Sequence, residues 1–355
     1  MEEAFIVHFD WTFPSEDIEQ IATDLMSSNC LVPGYDPPAV GLLSVAGMIY
    51  SQEIEKQNTS VLPDRNLVSR MVKVARDGIA RPDDPTAVAI KLMAYCQCLN
   101  VQIEPSIAFH ELAVHVGNER ALDELAWFRA ADKANPLAWV DLAVGRSAEP
   151  IVDEPGCVPS ADLAHPLHRW RRNYIVALKI AQLELSDRPR HECMLAMLDW
   201  MNEDFILAGP ASLLAMFYLS PDAARRGTFK RLRSADRERA LAGIRNEAWD
   251  VTHLSDFARR INMTSDTRFM LATADKRLAD LARSLVPHSG DEMFRDQAYR
   301  IAHHRWPAVH ADSIAERLVA YQQEAEARPR RSFGSDAVNE WIARGEAEIR
   351  SYTGT

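Results

Sequence analysis

Residues 59–66, Thr59-Ser60-Val61-Leu62-Pro63-Asp64-Arg65-Asn66, hold the change of pattern from which the fold is read. The first four are β-branched, small or apolar, as a short buried strand requires, and Pro63-Asp64 is a tight corner bearing an acid. Leu67, Val68, Met71, Val72 and Ala75 then recur at helical spacing and stop at Gly78. The same grammar returns twice. An apolar helix spans Ala87 to Leu99, Val101-Gln102-Ile103 reads as a short strand, and Pro105-Ser106 opens a helix holding Ile107, Phe109, Glu111 and Leu112. Far downstream, Phe269-Met270-Leu271-Ala272-Thr273 is a strand, and Ala274-Asp275-Lys276 turns into a helix with Leu278 and Leu281. Strands alternating with helices predict an α/β fold, a parallel sheet with helices on its faces.

Outward from that core the text changes character. Phe5-Ile6-Val7-His8-Phe9 reads as a strand, and Pro14-Ser15-Glu16-Asp17 as a helix start capped by Ser15. Residues 39–50 are apolar and fit either helix or strand. Residues 148–166 carry four prolines and a glycine, a loop-rich boundary, and His168 to about Ala242 is nearly all helical. Trp249-Asp250 reads as a new helix start. Residues 293–355 are helical apart from a basic joint at Arg328-Pro329-Arg330-Arg331.

Composition bounds the chemistry. The chain has 355 residues, 47% hydrophobic and 26% charged, the balance of a globular protein with a real core. Forty Lys and Arg against 51 Asp and Glu leave a net charge of −11, so a nucleic acid would have to meet a local basic patch. No apolar run approaches the roughly 18 residues of a membrane helix, and Met1-Glu2-Glu3 is no signal peptide. Five scattered cysteines fit a reduced, cytoplasmic compartment, and Cys96-x-Cys98 without a second pair is a poor zinc site. No glycine-rich phosphate loop, dinucleotide fingerprint or nucleophile elbow is present.

In open parallel sheets function gathers outside the carboxyl ends of the strands. Asp64 and Asp275 both follow short apolar strands, so the fold can bring them together across the chain. Carboxylates converging without basic partners repel one another, and a hard divalent cation is the usual compensation. Val61-Leu62-Pro63-Asp64-Arg65-Asn66 resembles the strand-to-helix D-x-N signature that opens PIN domains, metal-dependent ribonucleases of many toxin–antitoxin systems. Ile103 to Leu112 resembles the family's second segment, in which a helix carries an acid followed by Leu. Ala248-Trp249-Asp250 resembles the helix start that supplies the third acid. Phe269 to Leu278 resembles the final segment, an apolar strand followed by T-x-D-(K/R).

The resemblance implies a PIN-like parallel-sheet core with helices on both faces, a large helical insertion and a helical C-terminal extension. Its segments would be an N-terminal α/β extension (1–58), the first half of the core (59–147), the insertion (148–243), the second half of the core (244–288) and the extension (289–355). It further implies an endoribonuclease that hydrolyses phosphodiesters with a metal-activated water. Asp64, Glu111, Asp250 and Asp275 would hold Mg²⁺ or Mn²⁺. Asn66 would support Asp64 by hydrogen bonds, and Thr273 would orient the last acid or a water. Asp256, 19 residues before Asp275, competes with Asp250 for the third place. RNA is the implied substrate, with an antitoxin or another protein as partner.

Each residue also has a plainer reading. An Asp after a strand often caps a helix through backbone N–H groups, and Glu111 fits a salt bridge or a solvated face. The stripe Arg225, Arg226, Lys230, Arg231 and Arg233 has no acid between Asp222 and Asp236, so it fits RNA phosphates as well as a solvated face, and Phe229 within it fits base stacking. The alternative function is a catalytically degenerate PIN-like scaffold that serves as an interaction or regulatory module.

Overall fold

The computed structural model describes residues 12–38, 40–223, 228–263, 266–287, 292–329 and 331–353. In chain order come α1 (Ser15–Ser28), β1 (Leu31–Pro33), α2 (Val45–Glu53), β2 (Asn58–Pro63), α3 (Arg65–Asp77) and α4 (Asp84–Cys98). Next are β3 (Gln102–Ile103), α5 (Ser106–Val116), α6 (Asn118–Asp132) and α7 (Pro136–Ala143). Helices α8 (His168–Glu184), α9 (Arg190–Glu203), α10 (Gly209–Tyr218) and α11 (Arg237–Ile261) follow. The chain then forms β4 (Thr267–Ala272) and α12 (Lys276–Leu285), and ends with α13 (Phe294–Arg305), α14 (Ala308–Ala327) and α15 (Ser335–Ser351). Two compact units result, one of Met1–His165 with Phe257–Arg283, the other of Pro166–Asp256 with Ser284–Thr355. Residues 166–243 of the expected insertion thus share the second unit with the expected C-terminal extension, while 148–165 belong to the first. No helix among the described residues is long and apolar enough to cross a membrane.

The first unit is α/β. Its four-stranded sheet has the order β1-β4-β2-β3. Strand β2 pairs in parallel with β4, from Asn58 opposite Thr267 to Pro63 opposite Ala272, and in parallel with β3 on its other side. As a central strand it is buried on both faces: Thr59, Ser60, Val61 and Leu62 all lie below 6% exposure. The edge strand β1 runs antiparallel to β4, Leu31 opposite Ala272. The sheet is therefore mixed, where a wholly parallel one was expected. Three residues ending in Pro33-Gly34 are too short to show a period, which is why β1 was not visible in the sequence. The strand expected at Phe5–Phe9 lies outside the described residues.

Local rules explain the helices around the sheet. Helix α3 buries Leu67, Val68, Met71, Val72, Val74 and Ala75 on one stripe and ends at Gly78, whose φ is +66°. A Cβ on Gly78 would overlap the Ala148 carbonyl oxygen, so both the left-handed backbone and the close approach require glycine. The ambiguous segment 39–50 resolves into helix α2, capped by Ser44, whose hydroxyl accepts the Gly47 N–H at 3.2 Å. Helix α1 differs from expectation in detail: Ser15 is already helical, and Pro14 precedes it without a side-chain cap. Trp139 on α7 is fully buried and donates its indole N–H to the Ala131 carbonyl at 3.1 Å.

The second unit is helical. Helix α8 packs on α15, and α14 packs on both α13 and α9. Helix α11 begins at Arg237, so Trp249-Asp250 is the middle of a 25-residue helix and not its start. A polar cluster joins its elements: Glu346 accepts from the Tyr174 hydroxyl and from Arg245, both at 2.7 Å, and from Arg350 at 3.0 Å. Burial pushes the Glu346 carboxyl up, but the bonds from Arg245 and Tyr174 outweigh it and hold the group below its ordinary value of 4.5. A carboxyl depressed in the folded state binds protons more weakly there than in the unfolded chain. Its stabilisation is complete above 4.5 and is lost as pH falls from there through the folded value. Glu346→Gln should therefore flatten the acid limb of second-unit stability, measured by urea unfolding at stepped pH. A parallel limb in the variant would remove Glu346 from the acid response.

Candidate functional site

Because β2 and β4 are adjacent and parallel, both deliver the next residues to the same edge of the sheet. Asp64 follows β2, and Thr273 and Asp275 follow β4. The Asp64 N–H donates to the Ala272 carbonyl at 2.9 Å, extending the ladder past the last strand pair. The Asp64 side chain is only 3% exposed. Its Oδ1 accepts the Leu67 N–H at 2.8 Å as the cap of α3, and its Oδ2 accepts the Thr273 hydroxyl at 2.5 Å. Thr273 Oγ1 in turn accepts the Asp275 N–H at 3.0 Å. Asp275 Oδ1 then accepts the N–H groups of Arg277 and Leu278 at 2.8 and 3.2 Å, capping α12.

One hydrogen-bonded chain thus links two carboxylates at two helix N-termini, where partial positive charge favours them. The Thr273 N–H donates to the Cys30 carbonyl at 2.9 Å, tying β1 to the same corner. Burial pushes the Cys30 thiol up, with the Asp64 charge adding to the effect, so it stands there as a neutral apolar group. Beside this corner a cavity of about 570 Å³ is lined by Thr273, Ala274 and Lys276 together with Asp24, Asp84 and Lys91. Lys91 is paired with Asp24 at 2.6 Å, while Lys276 is exposed.

The other expected residues stand apart from this chain of bonds. Glu111 is partly exposed on α5, whose core face is made by Ala108, Phe109, Leu112 and Ala113. Asn66 is exposed in the first turn of α3 and makes no side-chain hydrogen bond to Asp64 among the described residues. The support for Asp64 expected from Asn66 comes instead from Leu67 and Thr273, because capping turns the Asp64 carboxylate toward the backbone of N3. Asp250 and Asp256 belong to the part of α11 that lies in the second unit. Asp256 is buried there and paired with Arg169 at 2.6 Å, which accounts for its charge without a metal. Among the described residues no three His, Cys, Asp or Glu side chains gather closely enough to share an ion. Of the expected site residues, hydrogen bonds bring together Asp64, Thr273 and Asp275.

The basic stripe is also altered. Arg225 and Arg226 lie outside the described residues. Lys230, Arg231 and Arg233 are exposed, but Arg233 reaches Glu184 at 3.4 Å, an acid 49 positions away that local charge counting misses. Phe229 is 2% exposed and packs edge-on against Tyr218 at 4.7 Å, so it offers no face to a base. Left-handed backbone at Phe229 and Arg231, with φ of 41° and 62°, turns the ring inward while its charged neighbours stay in water. In comparison with known proteins the chain matches no family model, no curated protein and no solved structure.

Proposed function

We propose that the strand ends of β2 and β4 form a phosphodiester-hydrolysing site of the PIN-like ribonuclease kind, with Asp64 and Asp275 as its carboxylates. The observation that supports this most is the burial of Asp64 at 3% exposure, keyed by Thr273 to the acid of the adjacent parallel strand. The pair fits a small hard cation: Mg²⁺ is commonly held by one or two carboxylates, with waters and substrate phosphates completing its shell. Mg²⁺ or Mn²⁺ held by Asp64 and Asp275 would supply neutralisation of phosphoryl charge and acidification of water. The chain's own residues position the site. Thr273 fixes the Asp64 carboxylate through Oδ2, and Asp275 is oriented by the first turn of α12. Lys276, exposed next to Asp275, suits a phosphate oxygen of an RNA strand.

A Mn²⁺ titration of the full chain tests the reading. Free ion at about 100 times its Kd should stabilise the folded first unit by about 2.7 kcal/mol. Asp275→Asn should abolish both that gain and metal-dependent cleavage of single-stranded RNA while leaving the metal-free melting curve nearly unchanged. A wild-type melting curve indifferent to Mn²⁺ would end the hydrolase reading. A second reading is favoured by the absence, among the described residues, of any three-ligand cluster. On that reading the corner is purely structural, and the protein is a PIN-like scaffold that binds a protein partner such as an antitoxin.

A further inference from the structure

A second cavity, of about 700 Å³, lies wholly within the second unit, where the chain leaves α9 and where it leaves α14. Its floor is apolar, formed by Met201, Phe205, Ile206 and Leu207. Phe205, 2% exposed, is stacked on Trp200 at 5.0 Å and Phe333 at 5.4 Å, so it backs the cavity, and the partly exposed Ile206 and Leu207 are the apolar surface a ligand can meet. Arg172, Arg328, Arg331 and one acid, Glu326, also line the cavity. Arg328 is paired with Glu324 at 2.7 Å. Arg331 is held differently: it donates to the main-chain carbonyls of Glu203 at 2.6 Å and Phe205 at 3.3 Å, contacts that position the guanidinium without neutralising it. Arg172, partly buried on α8, makes no hydrogen bond, ion pair or ring contact with any described residue.

In a chain of net charge −11, Arg172 and Arg331 have no carboxylate partner among the described residues, and the acid on the wall, Glu326, is held by Gln322. Elsewhere in the same unit Arg169, Arg245 and Arg317 are each matched to an acid. The wall also carries two amides. Asn202 donates its N–H to Glu324 at 3.1 Å, and Gln322 donates to Glu326 at 2.8 Å. Both amide oxygens are thereby left as acceptors.

We propose that this cavity binds a nucleoside monophosphate group, its phosphate on Arg172 and Arg331 and its base over the apolar floor. A phosphate monoester carries about two negative charges near neutral pH and three acceptor oxygens, which match two uncompensated guanidinium forks. A carboxylate supplies one charge and two oxygens, and leaves one arginine unanswered. The volume lies in the usual range for small-ligand sites, roughly 300–1,000 Å³. The amide oxygens of Asn202 and Gln322 suit the exocyclic amino group of adenine or cytosine, which uracil lacks. The group can come from a free mononucleotide or from the 5′-phosphorylated end of a strand.

Binding is measured on the full chain by titration calorimetry without divalent metal, so the outcome is independent of the strand-end site. AMP is expected to bind, and adenosine and UMP to bind at least tenfold more weakly. Arg172→Gln, chosen because Arg172 makes no hydrogen bond or ion pair with a described residue, should weaken AMP at least tenfold with an unchanged circular dichroism spectrum. Leu207→Trp, which fills the floor, should weaken it as much. If the phosphorylated dinucleotide pApA binds as tightly as AMP, a strand end is the source; if it binds tenfold worse, the free nucleotide is. No binding of AMP or pApA at millimolar concentration would overturn the proposal. So would full AMP affinity in either variant.

Discussion

Asp64→Ala is expected to destabilise the first unit by about 2–4 kcal/mol, a large effect for one small side chain. Two losses combine. The cap of α3 disappears with the acceptor for the Leu67 N–H, typically about 0.5–2 kcal/mol. The Thr273 hydroxyl, on a residue 1% exposed, loses its acceptor, and a buried donor left unsatisfied costs about 1–3 kcal/mol. Asp64→Asn keeps an oxygen for the cap, but its amide N–H₂ faces Thr273 as a donor, so the cap is spared and the lost acceptor remains, at about 1–3 kcal/mol. Denaturant unfolding of the three proteins at pH 7 separates the cases. If Ala and Asn were equal and both close to wild type, the corner would not be a structural joint, and any role of Asp64 would have to be chemical alone. The contrast also matters for the hydrolase reading, because Asn at this position removes the negative charge while keeping the α3 cap.

Gly243→Ala should destabilise the second unit by about 2 kcal/mol, against the normal sign for a helix interior. In an unencumbered helix the change gains about 1 kcal/mol, since alanine restricts the unfolded chain and favours helical backbone. Gly243 sits inside α11, but a Cβ there would overlap the carbonyl oxygen of Lys230 and lie 3.0 Å from the carbonyl carbon. The obstacle is backbone, not a flexible side-chain end, so relief requires moving the 229–231 turn, and overpacking of this kind costs about 1–3 kcal/mol. That turn seats Phe229 against Tyr218, so the strain would spread into the core of the unit. A variant more stable than wild type in urea would show that the turn yields freely.

Gly243 also explains a boundary that pattern reading misplaces. A glycine after a helical run is a usual stop signal, and the helical text reads as ending at about Ala242. The helix nevertheless continues to Ile261, because the glycine is there to admit another piece of backbone. Asp250 therefore looks like a helix start in the sequence and is mid-helix in the fold. The same distinction governs the charges. Asp256 and Arg233 read as unpaired because their partners, Arg169 and Glu184, are 87 and 49 positions away. Phe229 reads as an exposed aromatic among cations, and left-handed backbone buries it.

What the amino-acid order determined alone is local: the strand, acidic corner and helix read at 59–78, the short strand at 101–103, and the strand and corner at 269–275, each within two residues of the observed element. These are legible because β-branched runs, helical stripes and Asp caps act over a few residues. Tertiary structure alone decided that β4 lies against β2, that a three-residue strand closes the edge from the opposite direction, and that Thr273 bonds to Asp64 across 209 positions. Strand order and partner choice are settled by which surfaces exclude water together and which distant donors meet acceptors. No short window of sequence contains that information.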